Sequence, residues 1–425
     1  MPFITFNFQV HQPIRISNFQ PNGYTNSNDL LNQYFNHGLN KWIFERVANK
    51  CYLPANRILL EIIDNLKHEK KKFKVSFSIT GTFLESAERF NKDVLDSFKQ
   101  LAQSKCVEIL GETYYHSLAS LYESKDEFIE QVNLHRQAIK DYFGVEPKVF
   151  VNTEMIYNNV IGKIVEQLGF KGIFTEGTER ILGWRNPNYL YVRKYCFPDD
   201  PPPEKRIKIL LRNYRLSDDV AYRFSARNWD QWPLTADKYV AWLSATVGEV
   251  INIFMDYETF GEHQPEETGI FWFLRAFPYI AIRDPNLEFL TPSEVIEKCK
   301  PIGEIDVFEF STVSWADMER DTSAWLGNKM QQIMFNEVKN LERQVKSTGN
   351  DYLLKIWKLL QQSDHYYYMC TKFWADGDVH KYFSSFDRPE DAFANFMNIL
   401  SDFKMKLEMM RRGLIEMPNS RFTFV

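Results

Sequence analysis

Short apolar segments alternate with longer helical patterns through the first three quarters of the chain. Each apolar segment has the length of a buried strand, and polar residues follow it directly. Strands are predicted at residues 3–10, 73–79, 107–110, 147–152, 172–175, 207–211 and 251–255. Helices are predicted at residues 55–68, 91–104, 124–142, 160–168 and 236–247. This repetition predicts an α/β fold, as a complete or incomplete barrel of parallel strands. An open doubly wound sheet is the alternative, but no glycine-rich dinucleotide turn follows the first strand.

Helix-start signals and a change of pattern divide the rest of the chain. Ser124 with Glu127, and Thr291 with Glu294, have the spacing of a capping box, in which hydroxyl and carboxylate each accept a free amide of the first turn. From Asp317 onward, three amphipathic patterns at residues 317–346, 351–374 and 389–412 are typical of a helical bundle. We therefore predict a catalytic barrel domain at residues 1–300 and a C-terminal helical bundle at residues 301–425.

Polar side chains that carry chemistry recur where the predicted strands end. They are His11, Glu112, His116, Glu154, Glu176, Asp256 and Glu258. Two acids on different strands at one barrel mouth are what a glycosidase needs, one to attack or stabilise the anomeric carbon and one to protonate the leaving oxygen. The alternative is a metal site in a hydrolase or deacetylase, built from His11, His116, His263, Asp256 and Glu258. No compact H-x-x-x-H or H-E-x-x-H pair favours it.

Composition narrows the classes of partner. Aromatic residues make up 16% of the chain, which suits a cleft that stacks sugar faces. A net charge of -5 argues against nucleic acid, which calls for a basic face. Five scattered cysteines predict reduced thiols, and the sequence has neither a signal-peptide pattern nor a stretch long and apolar enough for a membrane span. We therefore predict a cytoplasmic protein without a membrane partner; its oligomeric state is not predicted.

Five short motifs resemble, in order and spacing, the signature regions of glycoside hydrolase family 57. They are H-Q-P at 11–13, V-E-I-L-G at 107–111, N-T-E-M-I-Y at 152–157, M-D-Y-E-T-F-G at 255–261 and Q-Q-S-D-H-Y at 361–366. The family is known for α-amylase, 4-α-glucanotransferase and branching activities on α-glucans. The resemblance implies an incomplete (β/α)7 barrel with a helical bundle, and a retaining mechanism that needs no metal or other cofactor.

The same resemblance implies roles for individual residues. Glu154 matches the family's nucleophile and Asp256 its general acid/base. His11 matches a sugar-contacting residue of the first region and Asp364 the acid of the fifth, and we expect both to bind substrate. Tyr157 matches an aromatic position close behind the nucleophile and is expected to contact substrate. Tyr257 stands where some glucanotransferases have glycine, which favours the amylase-like branch and predicts an effect on the acceptor side.

The remaining site predictions come from the residues themselves. Glu258 is expected to tune Asp256 or to bind a sugar hydroxyl, because alternate positions of an extended segment point to one side. His116 is a second predicted substrate contact, with a structural histidine as the alternative. Six tryptophans are candidate stacking platforms, and among them we favour Trp229 and Trp232, which lie in a polar, loop-like stretch. The full set is Trp184, Trp229, Trp232, Trp272, Trp315 and Trp325.

The sequence thus predicts a retaining glycoside hydrolase that cleaves α-1,4 bonds in starch-like or glycogen-like glucans. Transglycosylation, as in a 4-α-glucanotransferase, is the alternative within the same chemistry. A non-catalytic glucan-binding protein is the alternative from another class, and two retained carboxylates argue against it.

Overall fold

The computed structural model describes residues 2–21, 29–372 and 384–418. Ten strands and a larger number of helices make up this part of the chain. The strands are β1 Phe3–Val10, β2 Val75–Ile79, β3 Val107–Leu110, β4 Val149–Val151, β5 Gly172–Glu176, β6 Tyr191–Arg193, β7 Lys208–Arg212, β8 Val250–Asp256, β9 Glu288–Phe289 and β10 Glu304–Ile305. The protein has a mixed α/β fold with a mostly parallel sheet.

Seven of the strands pair in a circuit. β1 lies between β8 and β2, and β2 pairs with β3, all in parallel. A parallel bridge between Gly111 and Phe150 joins the end of β3 to β4. β4 pairs with β5, β5 with β7, and β7 with β8 through Arg212 and Asn252, again in parallel. The carboxyl ends of these strands therefore face the same side of the molecule.

Three shorter strands lie outside this circuit. β6 runs antiparallel to β7, β10 pairs with β6, and β9 pairs with the first residues of β1.

Helices connect and cover the strands. The α-helices are α1 Leu30–Tyr34, α2 His37–Val47, α3 Leu53–Asn65, α4 Gly81–Phe90, α5 Lys92–Gln103, α6 Asp126–Phe143, α7 Asn159–Gln167, α8 Glu179–Leu182, α9 Tyr214–Ala221, α10 Ala236–Ala245, α11 Ile270–Arg283, α12 Pro292–Lys298, α13 Ser323–Leu326, α14 Lys329–Asn340, α15 Glu342–Ser347, α16 Asp351–Leu359, α17 Ser363–Tyr367 and α18 Pro389–Arg411. A π-helical segment, Ala48–Tyr52, joins α2 to α3. Short 3₁₀ turns occur at Ala119–Leu121, Thr153–Met155, Pro203–Lys205, Tyr257–Thr259, Glu266–Thr268 and Glu309–Ser311.

The two predicted capping boxes have different outcomes. The box at Thr291 is confirmed, because its hydroxyl accepts the Glu294 N–H and the Glu294 carboxylate accepts the Thr291 N–H. The box at Ser124 is wrong: α6 starts at Asp126, and the Ser124 hydroxyl bonds with the Asp126 carboxylate instead. Glu127 is buried and forms ion pairs with two lysines of the C-terminal helices. Because its carboxylate bonds to these lysines, it does not accept the backbone N–H that a capping box requires.

The first of the three C-terminal amphipathic patterns is not one long helix. Residues 317–322 precede α13, and Asp317 and Arg320 adopt left-handed backbone conformations with φ of 57° and 50°. The pattern then divides among α13, α14 and α15. The second pattern forms α16 and α17, and its end at Trp374 lies outside the described residues. The third forms α18, one residue shorter than predicted.

The C-terminal helices share a hydrophobic cluster with the sheet. Phe150 of β4 and Ile173 of β5 belong to the same buried cluster as Trp325, Trp357 and Phe396 of the late helices. The division at residue 300 therefore crosses a continuous core.

Truncating the tryptophan of α16 is expected to destabilise the protein strongly. Trp357 is completely buried, and its Nε1–H donates to the Val338 carbonyl at 2.8 Å. Trp357→Ala should lower the free energy of unfolding by about 3–5 kcal/mol, because it leaves a cavity in the shared core. Denaturant titration measures this, with Trp272→Ala as the control. Trp272 is 78% exposed, and its loss should change the free energy by less than about 0.5 kcal/mol. Equal effects of the two variants would contradict the described packing.

Within the described residues, no helix combines the length and the apolar character that a membrane crossing requires.

Candidate active site

The strand ends converge on a cavity of about 720 Å³. Six of the predicted site residues line it: His11, His116, Glu154, Asp256, Glu258 and Asp364. Other lining residues include Gln9, Trp42, Arg46, Arg212, Asp218, Tyr222, Trp315 and Arg320. They come from the ends of β1, β4, β7 and β8, from the segment that follows β3, from α2 and from the segments around α9, α13 and α17. Residues far apart in the chain thus meet at one site.

Glu154 follows β4 in a 3₁₀ turn and is held by two hydrogen-bond donors. Its φ of 56° lies in the left-handed region, which is costly for a residue with a Cβ and marks a constrained position. The indole Nε1–H of Trp315 donates to one carboxylate oxygen at 2.8 Å, and the Ser363 hydroxyl donates to the other at 2.9 Å. These donors stabilise an ionised carboxylate and fix its orientation.

Asp256 ends β8, and its environment favours the protonated form. Burial and the negative charge of Glu154 raise the pKa of Asp256 to about 7. Glu258 lies two residues on, in the turn Tyr257–Thr259, and accepts a hydrogen bond from the Tyr52 hydroxyl. Burial, together with the charge of Asp256, raises the pKa of Glu258 to about 8. Near neutral pH Asp256 and Glu258 therefore each retain a proton for part of the time.

Tyr257 does not line the cavity, contrary to the effect predicted for it on the acceptor side. Its ring is buried against Phe8 and Phe77, and its hydroxyl donates to Asn56 at 2.7 Å. The turn directs the two acids into the cavity and this tyrosine into the core. Gly261 completes the turn with φ of 107°, where a Cβ would collide with the Lys50 carbonyl oxygen.

His116 lies between two carboxylates. Its Nδ1 is 3.2 Å from Glu112 and its Nε2 is 3.4 Å from Glu154. Burial by itself would lower the pKa of His116, but the hydrogen bonds to Glu112 and Glu154 raise it to about 10. Because both ring nitrogens are engaged, the predicted hydrogen bond from His116 to a sugar would require one partner to leave.

His11 is likewise engaged at both nitrogens. Nδ1 lies 3.0 Å from the Thr80 hydroxyl and Nε2 lies 3.0 Å from Asp364. Burial lowers the pKa of His11, and the imidazole stacks on that of His116 with ring centres 4.1 Å apart. Burial would raise the pKa of Asp364, but His11 and His116 lower it, so this carboxylate is ionised. Asp364 is therefore the more available sugar-binding group of the pair.

A buried charge network that the sequence did not reveal supports the part of the cavity wall formed by Arg212, Trp315 and Arg320. Arg212, at the end of β7, donates to Glu176 at 3.0 Å and to Asp218 at 2.5 Å. Arg320 pairs with the same two carboxylates at 3.2 and 3.1 Å and also donates to the Trp315 carbonyl. The network thereby anchors the loop that presents Trp315 to Glu154. Arg212 directly follows the strand predicted at 207–211, and that position is the signal by which it could have been found.

Three predicted substrate contacts lie away from the cavity. Tyr157 is completely buried in the core cluster of β4 and the late helices, because the chain after Glu154 turns inward to pair with Val313. Trp229 packs edge-to-face on Trp242, with ring centres 6.1 Å apart. Trp232 is partly exposed, with the Arg227 guanidinium over its ring. Both tryptophans therefore lie in a surface loop outside this cavity.

Aromatic side chains nevertheless line the cavity. Of the six candidate tryptophans, Trp315 and Trp325 do so, whereas Trp184 and Trp272 are strongly exposed. Trp42 on α2, which the sequence reasoning missed, also lines the cavity and is 58% exposed. Trp42 and Trp315 are therefore the better candidates for stacking on sugar rings.

Among the residues that the structure describes, no group of three or more His, Cys, Asp or Glu side chains is arranged to hold a metal ion.

Comparisons with known proteins agree with the motifs. The family model described as glycosyl hydrolase family 57 matches residues 5–308. A protein of Methanocaldococcus jannaschii with the name "Putative alpha-amylase" is 52% identical over 427 residues, which cover 98% of this chain and 88% of that protein.

Solved structures share the fold at low sequence identity. A branching enzyme from Thermococcus kodakaraensis superposes with a TM-score of 0.67 at 14% identity, covering 98% of this chain and 92% of that chain. The α-amylase AmyC from Thermotoga maritima gives 0.61 at 14% identity, covering 98% and 94%. A 4-α-glucanotransferase from Thermococcus litoralis gives 0.58 at 17% identity; the match covers 90% of this chain but 54% of that longer protein.

Proposed function

This chain belongs to glycosyl hydrolase family 57, and we propose that it cleaves α-1,4-glucosidic bonds in starch-like or glycogen-like glucans with retention of anomeric configuration. The observation that carries the proposal is the pairing of Glu154 with Asp256 across one cavity. Glu154 accepts hydrogen bonds from Trp315 and Ser363, which orient its carboxylate, and Asp256 has a pKa raised to about 7. A nucleophile and an acid are thus set apart by their environments.

The two carboxyl groups act in two steps. Asp256 donates its proton to the glycosidic oxygen as Glu154 attacks the anomeric carbon, so that the glycosyl group is transferred to Glu154. Asp256, now ionised, then takes a proton from water, whose oxygen attacks the same carbon and releases Glu154. Two displacements return the product with the configuration of the substrate.

The other lining residues bind the glucan. Asp364 and Glu258 hydrogen-bond sugar hydroxyls, and His11 acts through Asp364 by fixing its orientation. Trp42 and Trp315 stack on sugar rings. The name of the Methanocaldococcus jannaschii relative supports an α-glucan substrate.

For the architecture, we propose an incomplete (β/α)7 barrel formed by the seven strands that pair in a circuit. The barrel occupies residues 1–300 and a helical bundle occupies residues 301–425. The parallel pairings of β1, β2, β3, β4, β5, β7 and β8 support the barrel. α13 to α18 support the bundle, which shares its core with the sheet.

The test is the product pattern from maltoheptaose, with and without a chelator. We expect shorter maltooligosaccharides, and nuclear magnetic resonance of the first products should show the α-anomer. Products both longer and shorter than the substrate would instead show transfer to a sugar acceptor, as in a 4-α-glucanotransferase. Tight binding without products would favour a glucan-binding protein, and loss of activity on chelation would favour a metal-dependent hydrolase.

Removing the indole donor to Glu154 is expected to reduce turnover. Trp315→Phe keeps an aromatic ring but loses the Nε1–H that lies 2.8 Å from the carboxylate. We expect kcat on maltoheptaose to fall about 10- to 100-fold, since a hydrogen bond to a charged group contributes about 1.5–3 kcal/mol. Steady-state kinetics measures this, with Trp229→Phe, outside the cavity, as the control. An unchanged kcat in Trp315→Phe would exclude the role assigned to this indole.

A further inference from the structure

Glu112 is a carboxylate of the strand-end set that lies outside the cavity lining and contacts the site through His116. It is 1% exposed and bonds to His116, which is 3% exposed and reaches Glu154 with its other nitrogen. The three groups thus form a buried bridge from the end of β3 to the residue that follows β4. In the proposed reaction Glu154 is the nucleophile, but no step yet uses Glu112.

The position of Glu112 is fixed by neutral donors from two neighbouring strands. The Ser78 hydroxyl donates to Oε1 at 2.8 Å, and the Gln9 amide lies 3.2 and 3.3 Å from the two oxygens. Each of these groups donates a hydrogen to the carboxylate, as does the Nδ1–H of His116. Such an arrangement suits an ionised carboxylate and leaves a proton on His116 Nδ1.

The second nitrogen of His116 must also carry a proton. Nε2 faces the Glu154 oxygen that already accepts the Ser363 hydroxyl, and an unprotonated nitrogen there would oppose an ionised carboxylate. His116 has a φ of 49°, a backbone conformation that is costly for a residue with a Cβ. The side-chain bonds to Glu112 and Glu154 stabilise His116 in this conformation. An imidazolium between two carboxylates satisfies every contact.

The charges around His116 favour that cation. Glu112 lies on the same segment as His116, and Glu154 reaches His116 from the turn after β4. Asp256 and Asp364 face His116 from β8 and α17. His11, stacked on it from the end of β1, has a pKa lowered by burial and by the charge of His116, and so is neutral. One cation therefore faces several carboxyl groups.

We propose that Glu112 is a positioning residue for Glu154, acting through a protonated His116 that holds the nucleophile in one orientation. This inference rests on the proposed function for the role of Glu154. It replaces the predicted sugar contact of His116, whose ring nitrogens are both occupied by carboxylates. The cation also lowers the pKa of Asp256, so it acts on both reacting carboxyl groups.

The pH profile separates this role from a structural one. Without the cation, Asp256 keeps its proton to a higher pH, because the charge of His116 lowers the pKa of Asp256. His116→Gln should therefore move the alkaline limb of the kcat/KM profile to higher pH and lower kcat about 10- to 100-fold. A residue that served packing alone would reduce activity without moving this limb.

The direct test is the titration of His116 in the full chain, labelled with ¹⁵N at its eight histidines. Loss of one signal set in His116→Gln identifies the residue. In the wild type we expect an imidazolium that persists to about pH 9 or above. In Glu112→Gln the midpoint of the His116 titration should be lower by about one to three pH units. The same variant should have a kcat about tenfold lower and a KM that is little changed. Glu108→Gln, on the same strand but bonded to Ser293, should leave the midpoint unchanged.

The outcomes are separable from those for the proposed function. A midpoint near the ordinary value of about 6.5 in the wild type, or one unaltered in Glu112→Gln, would overturn the bridge whatever the activity. The wild-type titration alone decides this if the variants do not fold. If His116 titrates with a high midpoint but the protein cleaves no glucan, the proposed function is overturned, whereas the bridge from Glu112 through His116 to Glu154 is supported.

Discussion

Replacing Glu154 by glutamine is expected to lower kcat on maltoheptaose about 10⁴-fold, with little change in the fold. Glutamine has the size of glutamate, and its amide oxygen can still accept from the Trp315 indole while its amide nitrogen donates to the Ser363 hydroxyl, but it cannot form the glycosyl ester. Product formation from maltoheptaose, followed over hours, measures the loss. Circular dichroism and the unfolding transition should match those of the wild type.

Two further variants make this result specific for a nucleophile. Glu267→Gln replaces an exposed glutamate outside the cavity and should retain wild-type turnover. Glu154→Ala leaves space beside the anomeric carbon, so that added azide can attack in place of the carboxylate and release a glycosyl azide of inverted configuration. Near-wild-type activity of Glu154→Gln, or a rescued product of retained configuration, would show that another group attacks.

The repeating strand-helix pattern predicted the sheet well because burial is encoded locally. All seven predicted strands are present, with shifts of up to two residues, such as Val75–Ile79 for 73–79. β6 was missed because it is a three-residue antiparallel strand in a stretch without a clear pattern. α2 was missed as well, although its tryptophan lines the cavity. Short or irregular elements depend on tertiary contacts that periodicity does not express.

The central acids could be placed from sequence because strand ends are visible in the apolar pattern. Glu154, Asp256 and Glu258 follow strands, and parallel strands bring their carboxyl ends together. Asp364 came from its motif, since it lies on α17, more than 200 residues after Glu154. Proximity of this kind is a property of the folded chain.

The groups that set the chemistry of these acids could not be placed from the sequence in the same way. Trp315 was one of six candidate tryptophans, and its bond to Glu154 depends on a loop held by Arg320. The two tryptophans preferred from composition, Trp229 and Trp232, lie outside the cavity. A polar neighbourhood in sequence therefore did not identify the tryptophans that line the cavity.

The raised pKa of Asp256 leads to the second large effect. Asp256→Asn should lower kcat/KM on maltoheptaose about 10³-fold, because asparagine cannot protonate the departing sugar oxygen. In the wild type this acid must be protonated, so kcat/KM should fall as pH rises through about 7, the pKa of Asp256. The variant should lack this alkaline limb. Asp237→Asn, at the exposed start of α10, should retain both the rate and the limb.

A substrate with a better leaving group tests whether the loss concerns proton donation. Fluoride departs from α-maltosyl fluoride with little need for a proton, so formation of the glycosyl-enzyme should be far less impaired in Asp256→Asn than with maltoheptaose. The second step still needs a base to activate water, and the variant should therefore accumulate the covalent intermediate, visible as an added maltosyl mass on the intact protein. Equal losses on both substrates without an intermediate would mean that Asp256 binds or positions the glucan and that the acid lies elsewhere. Glu258, with a pKa raised to about 8 beside it, would then be the next residue to replace.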